Sequence, residues 1–179
     1  MKPGQVHVRR VRAQEPLAGP LADVLIDCVE GGASVSFLSP LSRTRALAFW
    51  DGVLAGVASG ERIVLVAEDC AAGRIIGTVQ LILAMPQNQP HRAEVAKMLV
   101  CRDARRRGVG LALMQAVERE ALVEARTLLV LDTVSGSAAA RLYSKLGWQR
   151  CGEIPGYALW PDGRLCDTTY YYKTLQGSA

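Results

Sequence analysis

Histidine, paired cysteines and long apolar runs are all scarce in this sequence, and each shortage excludes a class of protein. The chain has two histidines, His7 and His91, so a histidine-based catalytic triad or metal cluster has almost no side chains from which to form. Its five cysteines are scattered and show no Cys-x-x-Cys or Cys/His spacing, which argues against a disulfide framework or a zinc site. We therefore expect no metal and reduced thiols, as in a cytoplasmic protein.

The sequence also lacks the features of membrane and nucleic-acid-binding proteins. Its N-terminus (MKPGQVHVRRVRAQ) has no apolar segment typical of a signal peptide, and no apolar run reaches the roughly 18 residues of a membrane span. A net charge of +4 is too small to indicate nucleic acid, and two Phe and three Trp offer few side chains on which bases could stack. We expect a soluble, cytoplasmic protein with no membrane or nucleic-acid partner, and the mild positive charge is compatible with an anionic small ligand.

The composition that remains is globular. Half of the 179 residues are apolar and about a fifth are charged. A chain of this length can bury its own core, and no repeat, low-complexity tract or linker divides it. We therefore predict one domain over residues 1–179.

Hydrophobic periodicity predicts alternating strands and helices. The predicted strands cover 6–12, 62–67, 75–84, 92–100, 128–132, 149–153 and 168–175, and the predicted helices cover 17–29, 42–58, 109–125 and 137–146. The strand LLVLD at 128–132 is almost entirely apolar, as expected where helices cover both faces of a sheet. The order of elements predicts a mixed α/β (α+β) fold with a largely antiparallel sheet.

The hexapeptide RRRGVG at 105–110 lies between a predicted strand and a predicted helix. Free N–H groups in the first helical turn, close backbone approach at glycine and charged arginines together favour an anion site, such as one for a pyrophosphate. A Walker loop would need Lys-Ser/Thr where Leu111-Ala112 stands, and a dinucleotide fingerprint would need glycine at Leu113. A solvated basic turn stays open as the alternative.

Two longer stretches give this hexapeptide a context. VAKMLVCRDARRRGVGLALM (95–114) resembles the acetyl-CoA signature of the GNAT acetyltransferases, and AARLYSKLGWQRCG (139–152) resembles a later motif of that family. The resemblance implies a GNAT-like fold in which two neighbouring parallel strands, here 94–100 and 128–132, splay apart and hold acetyl-CoA. It also implies that acetyl-CoA is the co-substrate.

The resemblance further implies which residues contact acetyl-CoA. The strand residues would pair with its pantetheine arm, and backbone N–H groups from Arg105 to Leu111 would hold its pyrophosphate. Many relatives carry asparagine where this chain has Gly136, so Ser135 or Ser137 would have to supply that contact. The full implied set is Met98, Leu99, Val100, Arg105, Arg106, Arg107, Gly108, Val109, Gly110, Leu111, Ser135, Ser137 and Tyr143.

Three side chains are candidates for proton transfer. Tyr143 falls where the family places its general acid, and its alternative is an amphipathic core tyrosine. Glu94 and Asp132 are carboxylates on or at the end of central strands, where they could bind an ammonium group and accept its proton. Their alternatives are a surface salt bridge for Glu94 and a strand-end turn residue for Asp132, and the sequence does not say which would be the base.

A closer resemblance concerns the acceptor. GGASVSF (31–37) and GEIPGYALWPDGRL (152–165) look like the tabtoxin-resistance acetyltransferases of that family, whose proton-handling residues fall on Glu94, Asp132 and Tyr143. This implies a small amino-acid-like primary amine as substrate and a resistance function, with the loops 31–40 and 156–164 lining its pocket. Another amino acid, a polyamine or an aminated antibiotic stays open.

Two other functions are also compatible with the sequence. The chain could acetylate protein N-termini, or it could be a non-catalytic CoA-binding regulatory domain. Retention of Glu94, Asp132 and Tyr143 together favours catalysis, because a binding domain needs only the phosphate and pantetheine contacts. The sequence is silent on oligomeric state, and a homodimer is compatible with it.

Overall fold

The structure, a computed structural model, describes residues 6–176. Seven strands form one sheet in the order β1-β2-β3-β4-β5-β7-β6. The strands are β1 (Val6–Arg10), β2 (Arg62–Asp69), β3 (Arg74–Ile82), β4 (Arg92–Val100), β5 (Leu128–Val134), β6 (Gln149–Leu159) and β7 (Leu165–Thr174). The helices are α1 (Ala18–Glu30), α2 (Arg43–Ala58), α3 (Val109–Val123) and α4 (Ala138–Lys145), and a 3₁₀ turn covers Arg102–Ala104.

The sheet is mostly antiparallel, as the order of elements predicts. Only β4 and β5 run parallel, and α3 is the helix that connects them. Both strands contribute fully buried apolar side chains to the core, among them Ala93 and Leu129. The parallel pair is therefore the single interruption of an otherwise antiparallel sheet within residues 6–176.

Helices cover both faces of this sheet. A side chain at Gly77 of β3 would point toward α3, whereas Arg62 of β2, which packs against Gly56 of α2, lies on the other face. The helix α1 buries Leu21, Val24, Leu25 and Cys28, which recur at helical spacing. The helix α2 buries Ala46, Trp50, Val53 and Gly56, and the neighbouring Leu47, Leu54 and Val57 are half-buried against the core. The Arg62 side chain lies against Gly56.

The absence of a side chain at Gly77 lets α3 pack closely on β3. A Cβ there would lie 2.9 Å from the carbonyl oxygen of Leu99 and 3.1 Å from side-chain atoms of Val109 and Leu113. Gly77→Ala is therefore expected to force apart a well-packed core and to destabilise folding by about 1–3 kcal/mol. In thermal unfolding this lowers Tm by about 2–10 °C.

A matched glycine in α2 supplies the control for that variant. Gly52 is exposed, and a Cβ there meets no atom within 4 Å. Gly52→Ala should leave Tm unchanged or raise it, because alanine is the better helix former by about 1 kcal/mol. If both variants behaved alike, close packing of α3 on Gly77 would not be what makes that position sensitive.

The last two strands are longer than predicted. The sequence predicts extended pieces at 149–153 and 168–175, whereas β6 covers Gln149–Leu159 and β7 covers Leu165–Thr174. Most of β6 is exposed at the sheet edge, and Gly and Pro interrupt its apolar pattern, so periodicity gives a weak signal there. Pairing with β7 supplies the extended conformation, with register shifts around Gly152 and between Ile154 and Ala158.

Across residues 6–176, none of the helices combines the length and the apolar character that crossing a bilayer requires.

Candidate active site

The strands β4 and β5 separate partway along their length. Their parallel pairing covers three residue pairs and ends where Glu94 lies opposite Val130. Beyond that point, β4 continues to Val100 and β5 continues to Val134 without pairing to each other. The splayed pair that the family resemblance implies is therefore present, and its opening leaves one edge of β4 available to a ligand.

A β-bulge in β4 accompanies this separation. Ala96 lies opposite Gln80 and Leu99 lies opposite Thr78, so two β4 residues, Lys97 and Met98, oppose a single residue of β3. Lys97 takes a left-handed backbone conformation with φ of 50°. Such a bulge bends its strand and redirects a side chain. The sequence gives no sign of it, because lysine is an ordinary residue in a strand.

The free edge of β4 points toward the opening. The N–H of Cys101 donates to the carbonyl oxygen of Ile76 on β3 at 2.9 Å. Because backbone groups alternate in direction along a strand, the N–H groups of Met98 and Val100 point away from β3 and into the opening. The carbonyl oxygen of Val100 accepts a hydrogen bond from Arg105 Nε at 3.3 Å. This edge can pair with an extended amide-bearing chain, which fits a pantetheine arm.

The turn before α3 presents a row of free backbone donors. Within the described residues, none of the six N–H groups from Arg106 to Leu111 donates a hydrogen bond, and the first helical bond of α3 comes from Ala112. Gly108 caps the helix at φ of 82°, a conformation that suits glycine, and the space around it is open. Unpaired N–H groups at a helix N-terminus form an anion site. This set fits a pyrophosphate.

The arginines beside this turn serve mainly to position it. Arg107 Nη2 lies 2.9 Å from the Asp69 carboxylate, and this guanidinium, with N–H groups of Ala72 and Ala71, lowers the pKa of Asp69. Arg102 bonds to Asp27 through both its backbone N–H and its guanidinium, each at 2.8 Å. These contacts connect the turn to the β2–β3 hairpin and to α1. Among the described residues, the Arg106 side chain makes neither an ion pair nor a hydrogen bond, whereas Arg105 donates to Val100 and Arg107 pairs with Asp69, so Arg106 is the most available of the three to a ligand.

The second glycine of the turn has a packing role. A Cβ on Gly110 would lie 3.2 Å from Leu142 on α4 and 3.7 Å from the sulfur of Met98. Glycine at this position lets α3 and α4 approach each other beside the β4 edge. The two glycines of RRRGVG therefore have different roles: Gly108 shapes the anion turn, and Gly110 permits close packing of α3 against α4.

Gly108→Ala is expected to weaken CoA binding about tenfold. An alanine forced into the left-handed region costs roughly 1–2 kcal/mol, and relief of that strain would turn the N–H groups away from a common point. Gly60, at φ of 77° and also in open space, lies at the end of α2 away from the turn. Gly60→Ala should lower Tm to a similar degree and leave the dissociation constant of CoA, measured by calorimetry, unchanged. Equal CoA affinities in both variants would remove the turn from the binding site.

Tyr143 lies inside the protein next to the opening. It is 5% exposed, and its ring packs against those of Trp148 and Tyr171 at centroid distances of 6.0 and 6.1 Å. Its hydroxyl has no hydrogen-bond partner among the described residues. Burial raises the pKa of Tyr143 well above its ordinary value, and the negative charge of Asp132 raises it further. The hydroxyl is therefore protonated at neutral pH and free to donate.

The two candidate carboxylates lie on one face of the sheet. Glu94 pairs with Val130, and Asp132 follows two residues later on β5, so both point toward the face covered by α1 and α2. Glu94 forms an ion pair with Arg92 at 2.8 Å. Asp132 forms none among the described residues, and desolvation raises its pKa, with Lys97 opposing that shift and Glu94 adding to it. Asp132 thus holds its proton more tightly than an ordinary aspartate, and it lacks the arginine partner that Glu94 has.

A tyrosine pair that the sequence does not reveal lies beside them. Tyr170 pairs with Asp132 across β5 and β7, and its hydroxyl lies 2.7 Å from that of Tyr157. This hydrogen bond, burial and the nearby carboxylates raise the pKa of Tyr170 to about 12. Of the three residues in the run Tyr170–Tyr172, only Tyr171 is buried. Strand alternation places the other two on the opposite face, which is the signal that could have revealed them.

The two serines near Gly136 are already used within the chain. Ser137 Oγ accepts a hydrogen bond from the N–H of Ala140 at 3.1 Å and caps α4. Ser135 Oγ lies 2.7 Å from Thr169 Oγ1 on β7. A contact from either hydroxyl to acetyl-CoA stays a prediction, and it would compete with these bonds.

The two segments expected to line the acceptor pocket do meet. Ser34 Oγ donates to the carbonyl oxygen of Leu159 at 2.7 Å, and the N–H of Ser39 donates to that of Pro161 at 3.0 Å. A cavity of about 580 Å³ lies between them, lined by Val29, Glu30, Gly32, Ser39, Trp160, Pro161, Asp162 and Arg164. That lining contains neither of the candidate carboxylates nor Tyr143. From the first segment it is Ser36 that reaches β4, through Lys97.

Residues 6–176 contain no group of three or more His, Cys, Asp or Glu side chains placed to hold a metal ion.

Known proteins resemble this chain in sequence and in fold. A sequence profile of the acetyltransferase (GNAT) domain matches residues 60–150, about half of the chain. An N-acetyltransferase of Staphylococcus aureus Mu50 shares 16% identity and a TM-score of 0.78 over 96% of this chain and 99% of its own. A ribosomal-protein-alanine N-acetyltransferase of Brucella melitensis shares 23% identity and a TM-score of 0.78 over 93% and 99%.

A third solved structure contains the co-substrate. The yncA protein of Salmonella typhimurium, assigned as an acetyltransferase and solved with its cofactor acetyl-CoA, shares 20% identity and a TM-score of 0.77 over 98% of this chain and 96% of its own. At such identities these structures establish the fold alone. The sequence profile, which includes the splayed strands and the turn before α3, goes further: this chain belongs to the GNAT family of acetyl-CoA-dependent acetyltransferases.

Proposed function

We propose that this protein transfers the acetyl group of acetyl-CoA to the primary amine of a small amino-acid-like substrate, by direct attack in a ternary complex. The observation that carries the proposal is the approach of Tyr143 and Asp132 to the opening between β4 and β5. Tyr143 comes from the side of α4 and Asp132 from the opposite face of the sheet, and the charge of Asp132 acts on the tyrosine hydroxyl. A proton donor and a proton acceptor thus flank one gap.

The two motifs divide the binding of the co-substrate. The N–H groups from Arg106 to Leu111 hold the pyrophosphate, and the β4 edge at Met98 and Val100 pairs with the pantetheine amides. When bound, acetyl-CoA supplies a thioester whose acetyl carbon can accept an amine. Holding the amine next to that carbon supplies much of the rate enhancement.

The side chains at the opening accept and donate the protons that the reaction transfers. Glu94 and Asp132 bind the acceptor ammonium, and Asp132 takes the proton that must leave before nitrogen can attack. The nitrogen bonds to the acetyl carbon as the carbon–sulfur bond breaks, and Tyr143 gives its proton to the leaving sulfur. The new amide nitrogen loses its second proton to solvent, and exchange with solvent then returns a proton to Tyr143 and removes one from Asp132. General acid–base steps of this kind contribute about 10²–10⁴-fold.

The cysteines support direct attack over an acetyl-cysteine intermediate. Cys28 contacts the β4 edge, with its Sγ 3.5 Å from the carbonyl oxygen of Val100. Burial raises its pKa to about 11, and burial also raises the pKa of Cys101. A buried thiol that is protonated at neutral pH is a poor nucleophile.

The acceptor class rests on the resemblance to the tabtoxin-resistance acetyltransferases. Their substrate is tabtoxinine-β-lactam, an amino-acid toxin, and a detoxifying role in the cytoplasm is the specific form of the proposal. The matching stretches lie at 31–37 and 152–165, and the structure brings these segments into contact. Both also extend toward the face that carries Glu94 and Asp132, through Ser36 and through Tyr157.

The test is a thiol-release assay with acetyl-CoA and a panel of amino acids, polyamines, aminated antibiotics and peptides. We expect turnover with small amino acids, and initial-rate plots that intersect as a ternary complex requires. Parallel plots would indicate an acetylated enzyme and contradict direct attack. Turnover with peptide N-termini alone would assign protein N-terminal acetylation, and CoA binding without any turnover would assign a regulatory domain.

A further inference from the structure

The bulge in β4 gives the acceptor face a cation. Lys97 Nζ lies 3.0 Å from Ser36 Oγ and 5.9 Å from the centroid of the Phe49 ring. Ser36 lies on the segment after α1, and Phe49 lies on α2, so Lys97 points to the same face of the sheet as Glu94 and Asp132. In a regular strand without the bulge, the alternation of side chains would carry residue 97 to the opposite face, toward α3.

This lysine is half-buried and lacks an anionic partner. Among residues 6–176, Lys97 makes no ion pair within 4.0 Å, and neither does Asp132. Partial burial of an ammonium group without a carboxylate costs free energy. The effect is visible in the pKa of Lys97, which burial lowers and the charge of Asp132 raises. Opposite charges therefore face one another across a gap that neither side chain closes.

We propose that Lys97, together with the Ser36 hydroxyl, binds the carboxylate of the acceptor while Asp132 and Glu94 hold its ammonium group. The inference rests on the proposed function and identifies the residue that selects amino acids from other amines. An α-amino acid carries an ammonium and a carboxylate group on the same carbon atom. One molecule can therefore pair with Lys97 and with the carboxylates at the same time. Lysine and a serine hydroxyl donate hydrogen bonds that a carboxylate accepts.

The position of Lys97 favours the acceptor over the phosphates of CoA. The anion turn at 106–111 lies beyond the end of β4, whereas Lys97 lies three residues before that end and faces α1 and α2. Arg92, on the same face of β4, is already paired with Glu94 at 2.8 Å, whereas Lys97 makes no ion pair among residues 6–176 and can receive a substrate anion. One lysine and one hydroxyl suit a single carboxylate.

The experiment compares Lys97→Met and Lys97→Arg with the unaltered protein on matched acceptors. The pairs are L-alanine with ethylamine, L-phenylalanine with phenethylamine, and L-glutamine with 4-aminobutanamide, which differ only in the carboxylate. The unaltered protein should prefer the amino acid in each pair. Lys97→Met should raise KM for the amino acids roughly 10- to 100-fold and leave kcat/KM for the amines within about threefold, and Lys97→Arg should restore part of the loss. CoA affinity and Tm, measured alongside, should not fall.

The outcomes separate this inference from the proposed function. Turnover of amines with no preference for the carboxylate, or equal losses on both members of each pair in Lys97→Met, would overturn the role of Lys97 and leave the acetyltransferase proposal intact. If no amine were turned over, titration of the same L-amino acids in the presence of desulfo-CoA decides. Binding that weakens tenfold or more in Lys97→Met would support the carboxylate site, and binding that is absent or unaffected by the substitution would overturn it.

Discussion

Tyr143→Phe is expected to lower kcat about 10²-fold or more while the affinity for CoA stays within about threefold of its original value. The substitution removes one oxygen atom and keeps the ring that packs against Trp148 and Tyr171. Because that hydroxyl has no partner among the described residues, its loss leaves no buried group without a hydrogen bond. Tm should therefore change little, and the loss of rate reports the missing proton donor.

A neighbouring tyrosine provides the matched control. Tyr171 is 6% exposed and lies on the same face as Tyr143, but it is a residue of β7 that packs in the core. Tyr171→Phe should keep kcat within about twofold. Stopped-flow or thiol-release kinetics give kcat for both variants, and calorimetry gives the CoA affinity. An equal loss of kcat and CoA affinity in Tyr143→Phe would assign the hydroxyl to binding, and an unchanged kcat would exclude it as the acid.

Asp132→Asn is expected to lower kcat/KM about 10²–10⁴-fold at neutral pH and to move the pH–rate profile upward. In the proposed mechanism, the ionised carboxylate accepts the ammonium proton, and desolvation raises its pKa above the ordinary value for aspartate. Asparagine cannot accept that proton, so the reaction then depends on amine already deprotonated in solution. The deficit should shrink as the pH approaches the pKa of the acceptor amine.

The stability of this variant gives an independent check. A carboxyl group whose pKa is higher in the folded state binds its proton more tightly there, so stability falls as the pH rises from the unfolded pKa through the folded one. At neutral pH, the ionised Asp132 is therefore a small cost to folding. Asp132→Asn should keep or slightly raise Tm, and a marked drop would show that the carboxylate holds the structure together.

Glu94→Gln distinguishes the two carboxylates. Glu94 already forms an ion pair with Arg92. We therefore expect Glu94→Gln to raise KM for the acceptor and to leave the shape of the pH–rate profile unchanged. A profile that shifted in Glu94→Gln and not in Asp132→Asn would reverse their roles. The sequence alone leaves this choice open, because both carboxylates lie at similar places on neighbouring strands.

Local sequence order accounts for much of what could be predicted. The strand, glycine-bearing turn and helix around 92–123 are close in the chain, and their periodicity shows each element directly. The helix that carries Tyr143 ends before Gly147, and Ser137 caps its start, so both limits are visible in the residues. Where pairing partners supply the structure, prediction was weaker: β6 extends six residues beyond the predicted end because β7 holds it.

The family, the acetyl-CoA co-substrate and the order of the elements can be predicted from the sequence, because each depends on residues that are neighbours in the chain. Which side chains come into contact depends on how the elements pack. Arg107 is held by Asp69 from another hairpin, and Tyr170 comes to lie beside Asp132 only through strand pairing. The direction of Lys97 toward the carboxylates also depends on tertiary structure, since strand alternation alone would place residue 97 on the other face. One extra residue in β4, accommodated only when β3 and β4 pair, reverses that direction.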